Sequence, residues 1–208
     1  MCPHALIPFK PRNPKTRLSG ILTQEEREEF ARAMLNDVIA AVNQASCIPV
    51  VVATELYDSD DVQITIRDKD LNETLNALLP EAAGPILIVM ADLPLATPDA
   101  LRRVYESKAD VVLVPGRGGG TNVIFVREPA RFHVDYYGAS FAKHKKIAED
   151  AGLSCDVVDS FRLSTDIDEE EDLADLLIHG SGKSREFLET AGFTLVWDAG
   201  RVGIRRKD

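Results

Sequence analysis

Residues 86–94 read Ile86-Leu87-Ile88-Val89-Met90-Ala91-Asp92-Leu93-Pro94. Five apolar residues in succession, without polar alternation, describe a strand buried on both faces, as in a parallel sheet. The strand ends on a carboxylate. The segments on either side repeat the scheme of strand followed by helix. Val62, Ile64 and Ile66 alternate as a strand, and Leu71, Leu75, Leu78 and Leu79 fit a helix that ends at Pro80. Downstream, Thr97-Pro98 opens a new helix with proline in its first turn. Val111–Val114 and Val123–Val126 read as two further strands.

Towards the N-terminus, Ala5–Phe9 is a first strand, followed by a Pro/Lys/Arg-rich loop to Leu22. Thr23-Gln24-Glu25-Glu26 has the form of a capping box. Phe30, Met34, Val38, Ala41 and Val42 then form an apolar stripe at helical spacing. Pro49–Ala53 is a short β-branched strand. Towards the C-terminus, Ser140–Asp150 reads as helix, Cys155–Val158 as extended chain and Asp168–His179 as an acidic helix. Phe193, Leu195 and Trp197, with Val202 and Ile204, flank Asp198-Ala199-Gly200 as a terminal hairpin at 193–205. Strands alternating with helices imply a three-layer α/β/α sandwich. The expected architecture is one domain over 1–208 around a mixed, mainly parallel sheet.

The chain has 208 residues, a net charge of −10 and 45% apolar residues. That length suffices for a full core. The acidic balance argues against broad nucleic-acid binding, which needs basic surface to neutralise phosphates. No stretch has the roughly 20 apolar residues of a membrane span. The first apolar run is too short for a secretory signal and is followed by Lys and Pro. Cys2, Cys47 and Cys155 form neither a CxxC pair nor a zinc spacing, so a reducing cytoplasm is the expected compartment. The four histidines are scattered without metal-ligand spacing, and structural or surface roles are expected of each.

Two glycine-rich motifs are decoys. Gly180-Ser181-Gly182-Lys183-Ser184 resembles part of a phosphate-binding loop, but Leu177 stands where a glycine is required and a helix precedes it. Gly116 and Gly118 resemble the start of a dinucleotide fingerprint, but Thr121 replaces the third glycine and a strand follows.

The remaining polar clusters fit a metal-dependent nucleotide-transfer site at the carboxyl ends of the strands. Lys10, Arg12, Lys15 and Arg17 are the densest cationic run of an acidic protein, in a loop restrained by Pro8, Pro11 and Pro14. A solvated loop is the plain reading of such a run. Arginine, however, suits bidentate phosphate contact, and lysine supplies a point charge. Thr97 already caps the next helix, which leaves Asp92 without a capping task. A carboxylate at a buried strand end needs a cation, and magnesium commonly takes one or two carboxylates plus phosphate oxygens. Asp168-Glu169-Glu170-Glu171 reads equally well as a helix N-cap with an acidic first turn. Either Asp166 or Asp168 could reach a metal held by Asp92. The loop Gly116–Asn122 could bring backbone N–H groups to an anion. The helix start after Tyr136-Tyr137-Gly138-Ala139-Ser140 is a second anion candidate.

Taken in order, Pro8-Phe9-Lys10, Lys15-Thr16-Arg17-Leu18, Lys69-Asp70-Leu71-Asn72-Glu73, Ala91-Asp92-Leu93-Pro94, Gly116–Asn122 (GRGGGTN), Tyr137-Gly138-Ala139-Ser140-Phe141 and Thr165-Asp166-Ile167-Asp168 span essentially the whole chain. Together they resemble the 2-phospho-L-lactate guanylyltransferase family of coenzyme F(420) biosynthesis. The Lys-Thr-Arg-Leu and Asp-Leu-Pro pieces are shared with nucleotidyltransferases at large; the glycine loop with Tyr-Gly-Ala-Ser-Phe is more specific.

The resemblance implies a Rossmann-like nucleotidyltransferase fold. It implies that GTP and 2-phospho-L-lactate give lactyl-2-diphospho-5′-guanosine and pyrophosphate; bacterial relatives use phosphoenolpyruvate instead. It places Mg2+ on Asp92 and Asp168, the nucleotide on Lys10, Lys15, Arg17, Asn72 and Asp92, and the acceptor on Thr121, Gly138 and Ser140. Lys15, Arg17 and Asp92 are the expected catalytic residues. The competing readings are another small nucleotidyltransferase, acting on a molybdopterin or sugar phosphate, and a regulatory module that binds nucleotide without turnover. The exposed-looking Trp197 suits either a homodimer or a hairpin that caps its own core.

Overall fold

The computed structural model describes residues 3–57, 62–198 and 200–207. Cys2 and the hairpin-turn residue Ala199 lie outside the described residues. A seven-stranded sheet has the order β3-β2-β1-β4-β6-β5-β7. Its strands are β1 (His4–Phe9), β2 (Ile48–Ala53), β3 (Gln63–Ile66), β4 (Ile86–Val89), β5 (Val111–Pro115), β6 (Thr121–Val126) and β7 (Cys155–Val157). All neighbours run parallel except β6, which is antiparallel to both β4 and β5.

The run that decides the fold behaves as its composition dictates. Every residue of β4 is buried. Leu87 and Val89 face one hydrophobic cluster, with α1 (Gln24–Gln44) and α3 (Pro98–Tyr105); Ile86 and Ile88 face the other, with α2 (Leu71–Leu78) and α4 (Ser140–Asp150). The sheet therefore lies between two helical layers. The expected stripe of α1 is buried at Phe30, Met34, Val38, Ala41 and Val42. Its capping box is complete: Thr23 Oγ1 accepts from the Glu26 N–H at 3.2 Å and Glu26 Oε2 accepts from the Thr23 N–H at 2.8 Å. Thr97 caps α3 as expected.

One local expectation needs correction, and two helices were not foreseen. The acidic helix does not start at Asp168; it is α6 (Asp172–His179). Asp172 Oδ2 accepts from the N–H groups of both Asp168 and Glu169, at 2.9 and 2.8 Å. This turn leaves the Asp168 carboxylate out of any capping role. Two short helices escaped the periodicity reading, α5 (Phe161–Ser164) and α7 (Lys183–Thr190). Helix α5 has only four residues, and α7 (KSREFLET) carries only two large apolar residues, too few for a readable stripe.

The decoy phosphate loop leads into α7, and its anion is internal. Asp37 on α1 accepts from Lys183 N–H at 2.7 Å, Ser184 N–H at 3.0 Å and Ser184 Oγ. The hairpin β8 (Phe193–Asp198) and β9 (Arg201–Arg206) forms its own two-stranded sheet. Phe193 is buried with Phe30, Leu173 and Leu188 in a third cluster, whereas Trp197 is 75% exposed. One end of the hairpin thus covers its own core and the other projects. Among the described residues no helix is long and apolar enough to cross a membrane.

Candidate active site

The order β2-β1-β4 places a switch point between β1 and β4, because the chain leaves β1 to one side and returns on the other. Ligands of open α/β sheets gather at such points. The β1–β4 ladder ends at Leu6↔Ile88, two residues before Pro8. Proline has no N–H for a ladder, and here it stands where the two strands part. A cavity of about 240 Å3 opens there, lined among others by Pro8, Lys10, Lys15, Met90, Asp92 and Asp168.

Lys15 sits at the centre. Its Nζ donates to Asp92 Oδ2 at 2.7 Å and to Asp168 Oδ1 at 2.5 Å. Burial alone would depress the ammonium pKa, but the carboxylates of Asp92 and Asp168 outweigh it and hold the pKa above its usual value. Lys15 is therefore a cation. Its backbone is left-handed, at φ 49° and ψ 47°, a conformation that a residue with a Cβ adopts only when its surroundings fix it.

Those surroundings include a residue that the charge pattern did not reveal. Arg27 on α1 is buried, and its guanidinium spans the loop. It donates to Pro14 O at 3.2 Å, Leu22 O at 3.1 Å and Asn13 Oδ1 at 2.8 Å. The basic loop is thus clamped by an arginine beneath it as well as by its prolines. Read from sequence, Arg27 is one more charge in an acidic helix; only its burial distinguishes it.

The other cations of the loop diverge. Arg17 approaches Glu169 Oε1 at 3.2 Å and Asp168 Oδ2 at 3.7 Å, with its side chain 66% exposed. Lys10 is exposed and lines the β1 cavity. It also lines an adjoining cavity of about 490 Å3 with Thr54, Arg67, Lys69 and Tyr137. Arg12 turns away to Glu55 at 2.9 Å.

The two candidate aspartates of the later segment separate. Asp168 joins Lys15, whereas Asp166 Oδ1 accepts from Asn122 Nδ2 at 3.2 Å. Burial raises the Asp166 pKa, the Asn122 hydrogen bond opposes this, and the neighbouring Asp92 and Asp168 charges add to the rise. Among the described residues Asp92 Oδ1 is buried without a hydrogen-bond partner. Two carboxylates converge on one cation, and the lone pairs of one of their oxygens have no partner among the described residues. This donor set fits a hard divalent ion with oxygen ligands, completed by substrate phosphates.

The glycine loop is tied to this centre through Asn122. Met90 N–H donates to Asn122 O at 3.1 Å, and the Asn122 amide donates to Leu163 O at 3.0 Å. A Cβ on Gly116 would come within 2.5 Å of Asn122 Oδ1, so this glycine is required for close approach. The loop is not an open cradle of N–H groups. Gly116, Arg117 and Gly119 donate to Gly120 O, Ser164 O and Gly116 O. The start of α4 is similarly engaged: Ser140 N–H donates to Gly138 O and Phe141 N–H to Gly119 O.

On this side Thr121 and Ser140 form a buried pair of hydroxyl side chains. Ser140 Oγ lies 3.2 Å from Thr121 Oγ1, which lies 2.9 Å from His144 Nδ1. Gly138, at φ +73°, makes the turn that delivers Ser140. Asn72 is occupied in holding that turn's approach: its Oδ1 accepts from Tyr136 N–H at 2.8 Å and its Nδ2 lies 3.4 Å from Asp135 Oδ1. Lys143, absent from the expected set, donates to Tyr137 O at 2.6 Å and Asp135 Oδ2 at 2.8 Å beside Gly138.

Comparison with known proteins gives these features a family. The model of the family described as "Guanylyl transferase CofC like" matches residues 3–206. The 2-phospho-L-lactate guanylyltransferase of Methanoregula boonei is 69% identical over 99% of this chain and 96% of its own. That of Methanosphaerula palustris is 55% identical over 99% of each chain. Among solved structures, one described as a nucleotide-diphospho-sugar transferase, from Desulfovibrio desulfuricans G20, superposes with a TM-score of 0.74. It is 15% identical and covers 91% of this chain and 95% of that one, a likeness of fold alone. With a family match over nearly its whole length and relatives above half identity, this chain belongs to the CofC-like guanylyl transferases, a family of nucleotidyltransferases.

Proposed function

We propose that this protein transfers GMP from GTP to 2-phospho-L-lactate, giving lactyl-2-diphospho-5′-guanosine and pyrophosphate. The observation that carries the reading is the cluster at the β1/β4 switch point, where Lys15 is held between Asp92 and Asp168. The relatives are named 2-phospho-L-lactate guanylyltransferases, and that name supplies the substrates.

The acceptor's phosphate oxygen attacks the α-phosphorus of GTP. The bond from that phosphorus to the oxygen bridging it to the β-phosphate breaks, and pyrophosphate leaves. A phosphate monoester has a second pKa of about 6, so the nucleophile is already dianionic at neutral pH. No general base is needed, and repulsion between anions is the obstacle. Asp92 and Asp168 would hold a magnesium ion, which when bound would neutralise phosphate charge. Lys15 and Arg17 grip the triphosphate and meet the charge that develops on the departing pyrophosphate. Lys10, at the junction of the two cavities, assists them. Asn72, expected at the nucleotide, holds the approach to the Gly138 turn through Tyr136. Thr121, Gly138 and Ser140 orient the acceptor, and orientation itself lowers the barrier.

The same reading takes the chain as one nucleotidyltransferase domain working in the cytoplasm, with a homodimer formed through the projecting end of the hairpin at Trp197 and Val202. Light scattering on Trp197→Glu tests the dimer; a monomeric wild-type protein removes it.

The test of the reaction is pyrophosphate release with magnesium, each of the four nucleoside triphosphates, and either 2-phospho-L-lactate or phosphoenolpyruvate. Release with GTP and 2-phospho-L-lactate alone is the expected result. Release only with phosphoenolpyruvate changes the acceptor and keeps the chemistry. No release from folded protein with any pair overturns the reading.

A further inference from the structure

His144 is fully buried in α4, next to the hydroxyl-bearing residues Thr121 and Ser140, which are 4% and 1% exposed. The rings of Phe132 and Tyr136 pack on it. Its two nitrogens have different partners. The backbone N–H of Asp135 points at Nε2, at 2.9 Å, and Thr121 Oγ1 faces Nδ1, at 2.9 Å. A backbone amide can only donate, so Nε2 must carry the lone pair. A neutral imidazole then carries its proton on Nδ1 and donates to Thr121. Burial favours this neutral form and pushes the His144 pKa down to about 4, with Asp135 opposing and His133 and Lys143 reinforcing the shift.

Counting protons shows the consequence. The Thr121–Ser140 pair has two hydroxyl protons, one of which is used between the two oxygens. If His144 accepted at Nδ1, the second proton would be spent on the ring. Because His144 donates there, one O–H is left over, and the pair can offer it outside the network. We propose that His144 is a positioning residue for acceptor recognition: as the Nδ1–H tautomer fixed by the Asp135 amide, it obliges the Thr121–Ser140 pair to present one hydroxyl donor to an anionic oxygen of the acceptor. The inference rests on the acceptor role given above to Thr121 and Ser140. It adds the residue that sets the polarity of that site, and it makes the site selective for a lone pair over a proton donor.

Two measurements test it. Long-range proton–nitrogen NMR of wild-type protein at neutral pH is expected to show His144 protonated on Nδ1 and bare on Nε2. The reverse tautomer, or an imidazolium, overturns the proposal. Steady-state kinetics of two variants provide the second. His144→Gln keeps an acceptor for the Asp135 amide and loses the donor to Thr121. It should raise the acceptor KM by about tenfold, the scale of one hydrogen bond to a charged group, and leave the GTP KM within about twofold. His144→Asn places an amide N–H where Nδ1 stood, and should recover a good part of the acceptor KM even if its Tm falls as far as that of the Gln variant. A merely structural histidine predicts the opposite: KM changes that track Tm and affect both substrates alike. Wild-type protein that releases no pyrophosphate with either acceptor overturns the acceptor reading and this proposal together. Normal wild-type turnover with an unchanged acceptor KM in His144→Gln overturns this proposal alone.

Discussion

The two walls of the candidate site solve the problem of meeting anions in opposite ways. On the β1/β4 wall the groups are ionised and partly open to solvent; the Asp92 and Asp168 side chains are 28% and 37% exposed around a Lys15 that is 9% exposed. On the β6/α4 wall the groups are neutral hydroxyls and an imidazole, all nearly inaccessible. Charges act through fields and tolerate an approximate geometry. Neutral donors act only along fixed directions, so they require burial and a determined pattern of protons. On the proposed function, the first wall would take a triphosphate and its counter-ion, and the second a small acid whose orientation must be set.

The contrast can be broken most directly at Asp92. Asp92→Asn should lower kcat by about 10²- to 10³-fold, the loss typical of one group stabilising charge in the transition state, with the fold retained by circular dichroism. A variant with normal kcat at limiting magnesium removes Asp92 from the charged wall. Lys15→Met should lose a similar factor and reveal a second property. Without the ammonium, Asp92 and Asp168 face each other uncompensated, so the Tm should fall in chelator and recover on adding magnesium by more than wild type gains. Equal magnesium responses in the two proteins would mean that the carboxylates do not form a cation site.

The neutral wall should respond differently. Thr121→Ala is expected to raise the acceptor KM by about tenfold while leaving the GTP KM nearly unchanged; the reverse pattern assigns Thr121 to the nucleotide. Arg27→Met probes preorganisation instead of contact. It leaves carbonyls of the basic loop unpaired and should cost about 1–3 kcal/mol of stability, with a several-fold rise in GTP KM. A loss of stability with unaltered GTP KM shows that the clamp serves only the fold.

The smallest effect concerns the hairpin. Arg206 reaches from β9 to Glu26 at the start of α1, at 3.2 Å by one nitrogen and closer by the other. That hydrogen bond, with the Thr23 N–H, holds the Glu26 carboxyl down at about 2, against an ordinary 4.5. A lowered pKa in the folded state stabilises the protein fully above about pH 4.5 and is lost as pH falls towards 2. Glu26→Gln should therefore flatten the acid end of the stability profile and leave neutral-pH kinetics intact. An unchanged acid limb detaches the hairpin from the body.

Much of this was legible in the chain. The unbroken apolar run of β4, the capping box of α1 and the Thr97-Pro98 start each have a local cause, so a window of a few residues carries the information. The same holds for Lys15 and Asp92, because charge beside a strand end stands out against an apolar background. Asp168 was open between cap and ligand, as both readings use the same residue at the same spacing. The carboxylate of Asp172, four residues on, removed the capping task. The false phosphate loop was rejected by spacing, but what fills its place, Asp37, lies 146 residues away and could not be read locally.

By itself, then, the sequence determined the layers, the strand-end carboxylate, the cationic loop and the family resemblance, since all four depend on local periodicity or on ordered motifs. Tertiary structure alone decided which aspartate meets Lys15, where the Arg27 guanidinium lies, and which group faces each nitrogen of His144. Those outcomes depend on burial and on hydrogen-bond direction between distant segments, and neither quantity exists until the chain has closed on itself.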